Sequence, residues 1–127
     1  MIQNRTGTKS DQVVVIGADL WLSITVIDQE GDVVDLTGAS YKALVKSSED
    51  DVDASAVAEF TISSSAPTTG NIDMILSDTE TVKLQDEHNY VYDLHIKLPS
   101  NHATYPNFDE FPIWGTLRAI MGSSRSV

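Results

Sequence analysis

The segment from Gly70 to Ile96 constrains the fold of this chain more than any other. Ile72, Met74 and Leu76 alternate with Asn71 and Asp73, the period-2 pattern of a strand with one buried face. Ser77 followed by Glu80 has the spacing of a capping box, which predicts a short helical turn over Asp78 to Leu84. Tyr90, Tyr92, Leu94, Ile96 and Leu98 then set five large apolar groups on one face of a second strand, with Asp93, His95 and Lys97 on the other. A strand, a capped corner and a tyrosine-rich strand are the parts with which a Greek-key β-sandwich carries its chain from one sheet to the other. The unit specifies architecture and says little about chemistry.

The rest of the chain reads as further short strands. Residues 1–11 are polar and aperiodic, an N-terminal arm; residues 12–121 form the sandwich domain; residues 122–127 are a polar tail. Within the domain, strands are expected at Gln12–Ile16, Leu20–Val26, Tyr41–Val45, Val57–Ile62 and Ile113–Met121, besides the two already described, and Val33, Val34 and Leu36 lead into a chain reversal. Asp28 to Gly31 is a hairpin turn, and Thr37-Gly38 a second reversal. Ser47 to Ala56 is an exposed acidic loop, and Pro99 to Pro112 a loop of fourteen residues. The expected core comprises Leu22, Ile24, Val26, Ala43, Val45, Phe60, Ile62, Ile72, Met74, Leu76, Tyr92, Leu94, Ile96 and Leu117.

At 127 residues the chain is long enough for one domain with a real core. Nineteen acidic residues against eight basic ones give a net charge of −11. A surface of that sign repels phosphate, and Lys42, Lys46, Lys83, Lys97 and Arg118 are scattered singly, so nucleic acid is not an expected partner. Acidity of this kind keeps a domain soluble or docks it on a basic partner. There is no cysteine and hence no disulfide framework or thiolate metal site. Apolar runs such as Val13–Ile16 are far shorter than a membrane span, and no basic-then-apolar leader opens the sequence. No membrane partner, secretion or anchoring is expected.

Catalysis needs convergent groups, and the sequence offers few. His88, His95 and His102 are too far apart to form a local ligand pair, no serine stands in a Gly-x-Ser-x-Gly elbow, and no glycine-rich phosphate loop is present. The acidic run Glu49, Asp50, Asp51 and Asp53 lacks the spacing and closing glutamate of an EF-hand loop. Asp28, Glu30 and Asp32 flank a hairpin glycine, where turn chemistry accounts for them. Asp109 and Glu110 are adjacent, so their carboxylates diverge, unlike a glycosidase pair. The expectation is a protein that is not an enzyme, with no cofactor, obligatory metal or small-molecule substrate.

Aromatic residues point to partners instead. With Leu20, Leu22, Ile24 and Val26 facing inward, Trp21 faces away from the core. Tyr105, Phe108, Phe111 and Trp114 crowd the long loop and the start of the last strand. Such residues beside polar ones form protein interfaces and sugar-stacking platforms, or else fold back over the open end of a sandwich. Trp21, Tyr105, Phe108, Phe111 and Trp114 are the candidate partner-binding residues.

The order of segments also carries a resemblance. Gly17 to Gly31 is an apolar strand with an aspartate-rich hairpin; Asp35-Leu36-Thr37-Gly38 leads into an Ala/Val strand; Gly70-Asn71-Ile72, Tyr90-Val91-Tyr92-Asp93-Leu94 and Trp114-Gly115-Thr116-Leu117 follow. This pattern, over about residues 12–121, resembles small structural proteins of tailed bacteriophages and is similar to the N-terminal domain of phage upper baseplate proteins. The resemblance implies an all-β, immunoglobulin-like antiparallel β-sandwich of seven or eight strands with one short helical turn. It implies a non-enzymatic virion component of tail, neck, baseplate or capsid surface, assembled in the host cytoplasm and held in many copies by other virion proteins. The alternative function is a carbohydrate- or receptor-binding module using Tyr105 or Trp114 beside Asn101, Asn107 and Asp109.

Overall fold

A computed structural model of the chain describes residues 7–28, 30–47 and 56–121. Nine strands succeed one another among them: β1 (Thr8–Lys9), β2 (Gln12–Val15), β3 (Leu20–Thr25), β4 (Ser40–Lys46), β5 (Ala58–Glu59), β6 (Thr61–Ser63), β7 (Asn71–Leu76), β8 (His88–Lys97) and β9 (Asp109–Ile120). A single helical turn, α1 (Asp78–Thr81), lies between β7 and β8. The larger sheet runs β1-β9-β8-β4-β5, with β2 also on β9; the smaller runs β3-β7-β6. The two faces meet in one core, and every residue of the expected core lies in it or packs against it. In β8 the alternation is complete, with Tyr90, Tyr92, Leu94 and Ile96 buried between partly exposed neighbours. Each such side chain contributes roughly 1.5–3 kcal/mol of hydrophobic stabilisation. Among the described residues no helix is long and apolar enough to cross a membrane.

The sandwich differs in places from the sequence expectation. The pairs within β3–β8 and between β8 and β9 are antiparallel, but β1 and β2 run parallel to β9. Parallel neighbours need no tight turn between them, and here nearly the whole chain separates the two. Thr8–Lys9 therefore belongs to the larger sheet, although it falls within the expected arm. The single strand expected at Val57–Ile62 is two: β5 pairs with β4 in one sheet and β6 with β7 in the other. Phe60 marks the switch, its amide donating to Ala43 of β4. Val34 and Leu36, which lead into the Thr37-Gly38 reversal, are buried outside the named strands, and among the described residues the bridge Ile27–Val33 precedes them. The last strand starts at Asp109, which shortens the long loop. The acidic cluster at 49–53 and the tail at 122–127 lie outside the described residues.

The corner after β7 forms where expected but shorter, and without a capping box. Ser77 makes no side-chain cap bond. Asp19 accepts the Asp78 amide at 2.7 Å in its place, and Glu80 turns away to accept the Glu59 amide at 2.9 Å and to pair with Lys83 at 2.8 Å. Thr81, fully buried, donates to the Ala18 carbonyl at 2.9 Å and accepts the Gly17 amide at 3.0 Å. One hydroxyl thus ties the β7–β8 corner to the β2–β3 turn.

Candidate protein-interaction surface

The five candidate partner-binding residues occupy three separate places. Tyr105 and Phe108 pack against the core at one end of the sandwich, their rings edge-to-face at 6.1 Å. His102 organises their loop: its Nδ1 accepts the amides of Thr104 and Tyr105 at 3.1 and 3.0 Å, and its Nε2 meets the Asp35 carbonyl oxygen at 2.9 Å. The neutral tautomer protonated on Nε2 satisfies all three contacts. The loop thereby docks on the Asp35-Leu36-Thr37-Gly38 turn, in which Asp35 accepts the Thr37 amide and hydroxyl at 3.0 and 2.6 Å. These two aromatics close the sandwich instead of projecting from it, because burying their rings against open strand ends removes apolar area from water.

The Tyr105 hydroxyl donates to Asp28 at 3.0 Å. The other Asp28 oxygen accepts the amides of Glu30 and Asp32, both at 2.9 Å. The Asp32 amide first, then the Tyr105 hydroxyl, hold the Asp28 carboxyl below its ordinary value, while that bond to Asp28 pushes the Tyr105 hydroxyl up. Asp28, Glu30 and Asp32 bring carboxylate oxygens within 4.8 Å of one another. Both Asp28 oxygens already have partners in the turn and the neighbouring loop, as turn chemistry requires.

Phe111 and Trp114 lie on the outer face of the larger sheet. Phe111 stacks on His95, centroids 4.8 Å apart, and His95 in turn contacts Asp109. Register aligns Lys9 with Trp114, Trp114 with Asp93, and Asp93 with Leu44, a row across four strands. Leu44 is only 9 % exposed yet stands outside the core cluster, buried on the outward side of its sheet. Beside it a hollow of about 140 Å³ opens between Lys9, Lys46, Val91, Asp93, Trp114 and Thr116.

The same face gathers positive charge. At the outward positions of β1, β4, β8 and β9 stand Lys9, Lys42, Lys46, Lys97 and Arg118, and among the described residues Lys83 is the one cation placed elsewhere. Glu59, Asp93 and Asp109 share this face, three acids against five cations; most other acids lie on the hairpin 28–32, the corners and the smaller sheet. The sequence concealed this grouping because the cations are far apart along the chain. The signal was present in parity: each lies one residue from a buried position of its strand or pairs with a residue that does.

Trp21 stands alone on the opposite side. It is 62 % exposed on the outer face of the smaller sheet, opposite Ile75 in the neighbouring strand. The remainder of that face is a polar ladder, with Ser23 donating to Asp73 and Thr25 to Asn71, both at 2.6 Å.

No protein-family model matches the chain, and no curated protein does. Among solved structures it is similar to the extracellular domain of the voltage-gated sodium channel β4 subunit, whose parallel homodimers explain that protein's role in cell–cell adhesion. The TM-score is 0.51 and the identity 15%, over 96% of this chain and 99% of that one. A structure used in photo-crosslinking of cell-adhesive interactions of sodium channel β subunits gives a TM-score of 0.49 and 13% identity, over 96% and 100% of the two chains. At such identity the first likeness shows the fold alone: the chain is an immunoglobulin-like β-sandwich.

Proposed function

We propose that this chain is a non-enzymatic structural protein of tailed-bacteriophage virions, a component of the tail, neck or baseplate or a decoration of the capsid, acting through protein–protein contacts in many copies. The observation that carries the reading is the outer face of the larger sheet, where Phe111, Trp114, Val91 and Leu44 are grouped among cations. Aromatic residues set in a charged rim are the usual composition of a protein contact. The phage assignment rests on the sequence pattern, whose most specific parts have structural roles here. Asp35 and Thr37 close the turn around buried Leu36, and Tyr92 and Leu94 are core residues of β8. The sugar-binding alternative loses one of its two candidate aromatics, since Tyr105 packs against the core with its hydroxyl donated to Asp28. The test is mass-spectrometric quantification of this chain in purified particles. A fixed stoichiometry relative to the major capsid or tail subunit is expected; absence from intact particles overturns the proposal.

A further inference from the structure

We infer that the outer face of the larger sheet receives the acidic hairpin 27–33 of a second copy of this chain. This rests on the reading of the face as a protein contact and names its partner. Hairpin and face are complementary in charge and in apolar surface. The hairpin carries Asp28, Glu30 and Asp32 within a few residues, with no cation among its described residues. Its flanking residues Ile27 and Val33 are joined by a bridge, yet are 56 % and 51 % exposed. It is thus an acidic turn, tied to the neighbouring loop through Asp28 and Tyr105, with two half-exposed apolar side chains at its base. The larger sheet offers a hollow with apolar walls of Leu44, Val91 and Trp114, edged by Lys9 and Lys46 with Asp93 as its one acid, on a face where cations outnumber acids.

Charge also selects the mode of contact. Two copies meeting through the same face bring their lysines and Arg118 together, which like-charge repulsion disfavours. Hairpin against sheet sets acid against base and apolar against apolar. Such a contact is heterologous, so each copy presents both halves, and the association propagates into a ring or a linear array.

The test exploits this asymmetry. Glu30 and Asp32 enter the turn's hydrogen bonds through their backbone, so Glu30→Lys with Asp32→Lys leaves those bonds in place. Lys9→Glu with Lys46→Glu reverses the receiving face. Sedimentation velocity of the full chain is run at roughly 0.01 M and 1 M NaCl, where the Debye length is about 30 and 3 Å. Wild-type protein should associate at low salt and weaken by about tenfold or more at high salt. Each double variant alone should be monomeric, and the two mixed should associate, because the reversed hairpin then meets the reversed face. Unchanged melting temperatures establish that the variants fold; if charge reversal impairs folding, the neutral pair Glu30→Gln with Asp32→Asn should still weaken association. A wild-type monomer at low salt, a hairpin variant that associates like wild type, or folded variants that fail to complement each other would overturn the inference. A monomer that nevertheless enters particles at fixed stoichiometry overturns this contact and leaves the structural role standing. Self-association without entry into particles does the reverse.

Discussion

Gly115 is the residue on which attachment of the N-terminal strands depends. It pairs with Tyr92 in the middle of β9. A Cβ there would lie 2.3 Å from the Ser10 carbonyl oxygen, 2.7 Å from its carbon and 3.1 Å from an Asp11 carboxylate oxygen. The first two atoms are backbone and cannot swing aside. Gly115→Ala must therefore push the Ser10–Asp11 segment off the sheet. Three hydrogen bonds converge there: the Ser10 amide to the Trp114 carbonyl at 2.8 Å, the Thr116 amide to Asp11 at 3.0 Å, and the Tyr92 hydroxyl to the Ser10 carbonyl. Each is worth about 0.5–1.5 kcal/mol net, so losing the set of three costs about 1.5–4.5 kcal/mol. Urea denaturation of Gly115→Ala, Tyr92→Phe and the double variant measures this. The double variant should cost less than the sum of the singles, because the hydroxyl bond is already lost once the segment has moved. A cost below about 0.5 kcal/mol for Gly115→Ala, the range of ordinary surface changes, would refute the close approach.

Other outcomes follow from the same contacts. Thr81→Val keeps the side-chain shape but strands the Ala18 carbonyl and Gly17 amide, and should lower stability by about 1–3 kcal/mol in denaturant titration; an unchanged midpoint would contradict the bridging role. Tyr105→Ser with Phe108→Ser should lower the melting temperature by several degrees, while Phe111→Ser, on the outer face, should lower it less; the reverse order would contradict the placement of the two groups. Acid should destabilise the fold. Asp11 is held low first by the Thr116 amide, Asp28 by the Asp32 amide, Asp35 by the Thr37 hydroxyl and Glu80 by Lys83. With folded values below unfolded ones, their contribution is full above the ordinary carboxylate range of about 3.9–4.3 and is lost as pH falls through the folded values. Melting temperature followed from neutral pH to pH 2 should fall steadily below that range, and a flat profile there would contradict it.

Much of the architecture was legible because period-2 burial is written locally. The alternation in β3, β7 and β8 locates both sheets and the core from residue spacing alone. What escaped is what neighbours in sequence do not determine. The parallel pairing of β1 and β2 with β9 depends on Gly115 lacking a Cβ across from Ser10. The switch of the chain between sheets at Phe60 leaves the apolar alternation uninterrupted. The capping-box spacing at Ser77 was present, but Asp19 and the Glu59 amide, both distant in sequence, supplied better partners. Of the five aromatic candidates, only the position of Trp21 followed from strand parity. Tyr105 and Phe108 were indistinguishable by composition from exposed anchors until His102 and Asp28 fixed their loop over the core. The cation-bearing face was hidden for a related reason: its members come from four strands.

The central claim is that the larger sheet's outer face is the contact surface. Hydroxyl-radical footprinting of the chain, free and within assembled particles, tests it most directly, because aromatic side chains are modified according to their solvent exposure. Trp114 and Phe111 should be protected in the particle relative to the free chain, while Tyr92 in the core is unmodified in both. Equal modification of Trp114 and Phe111 in the two states, with protection confined to Trp21, would place the contact on the smaller sheet and contradict the account.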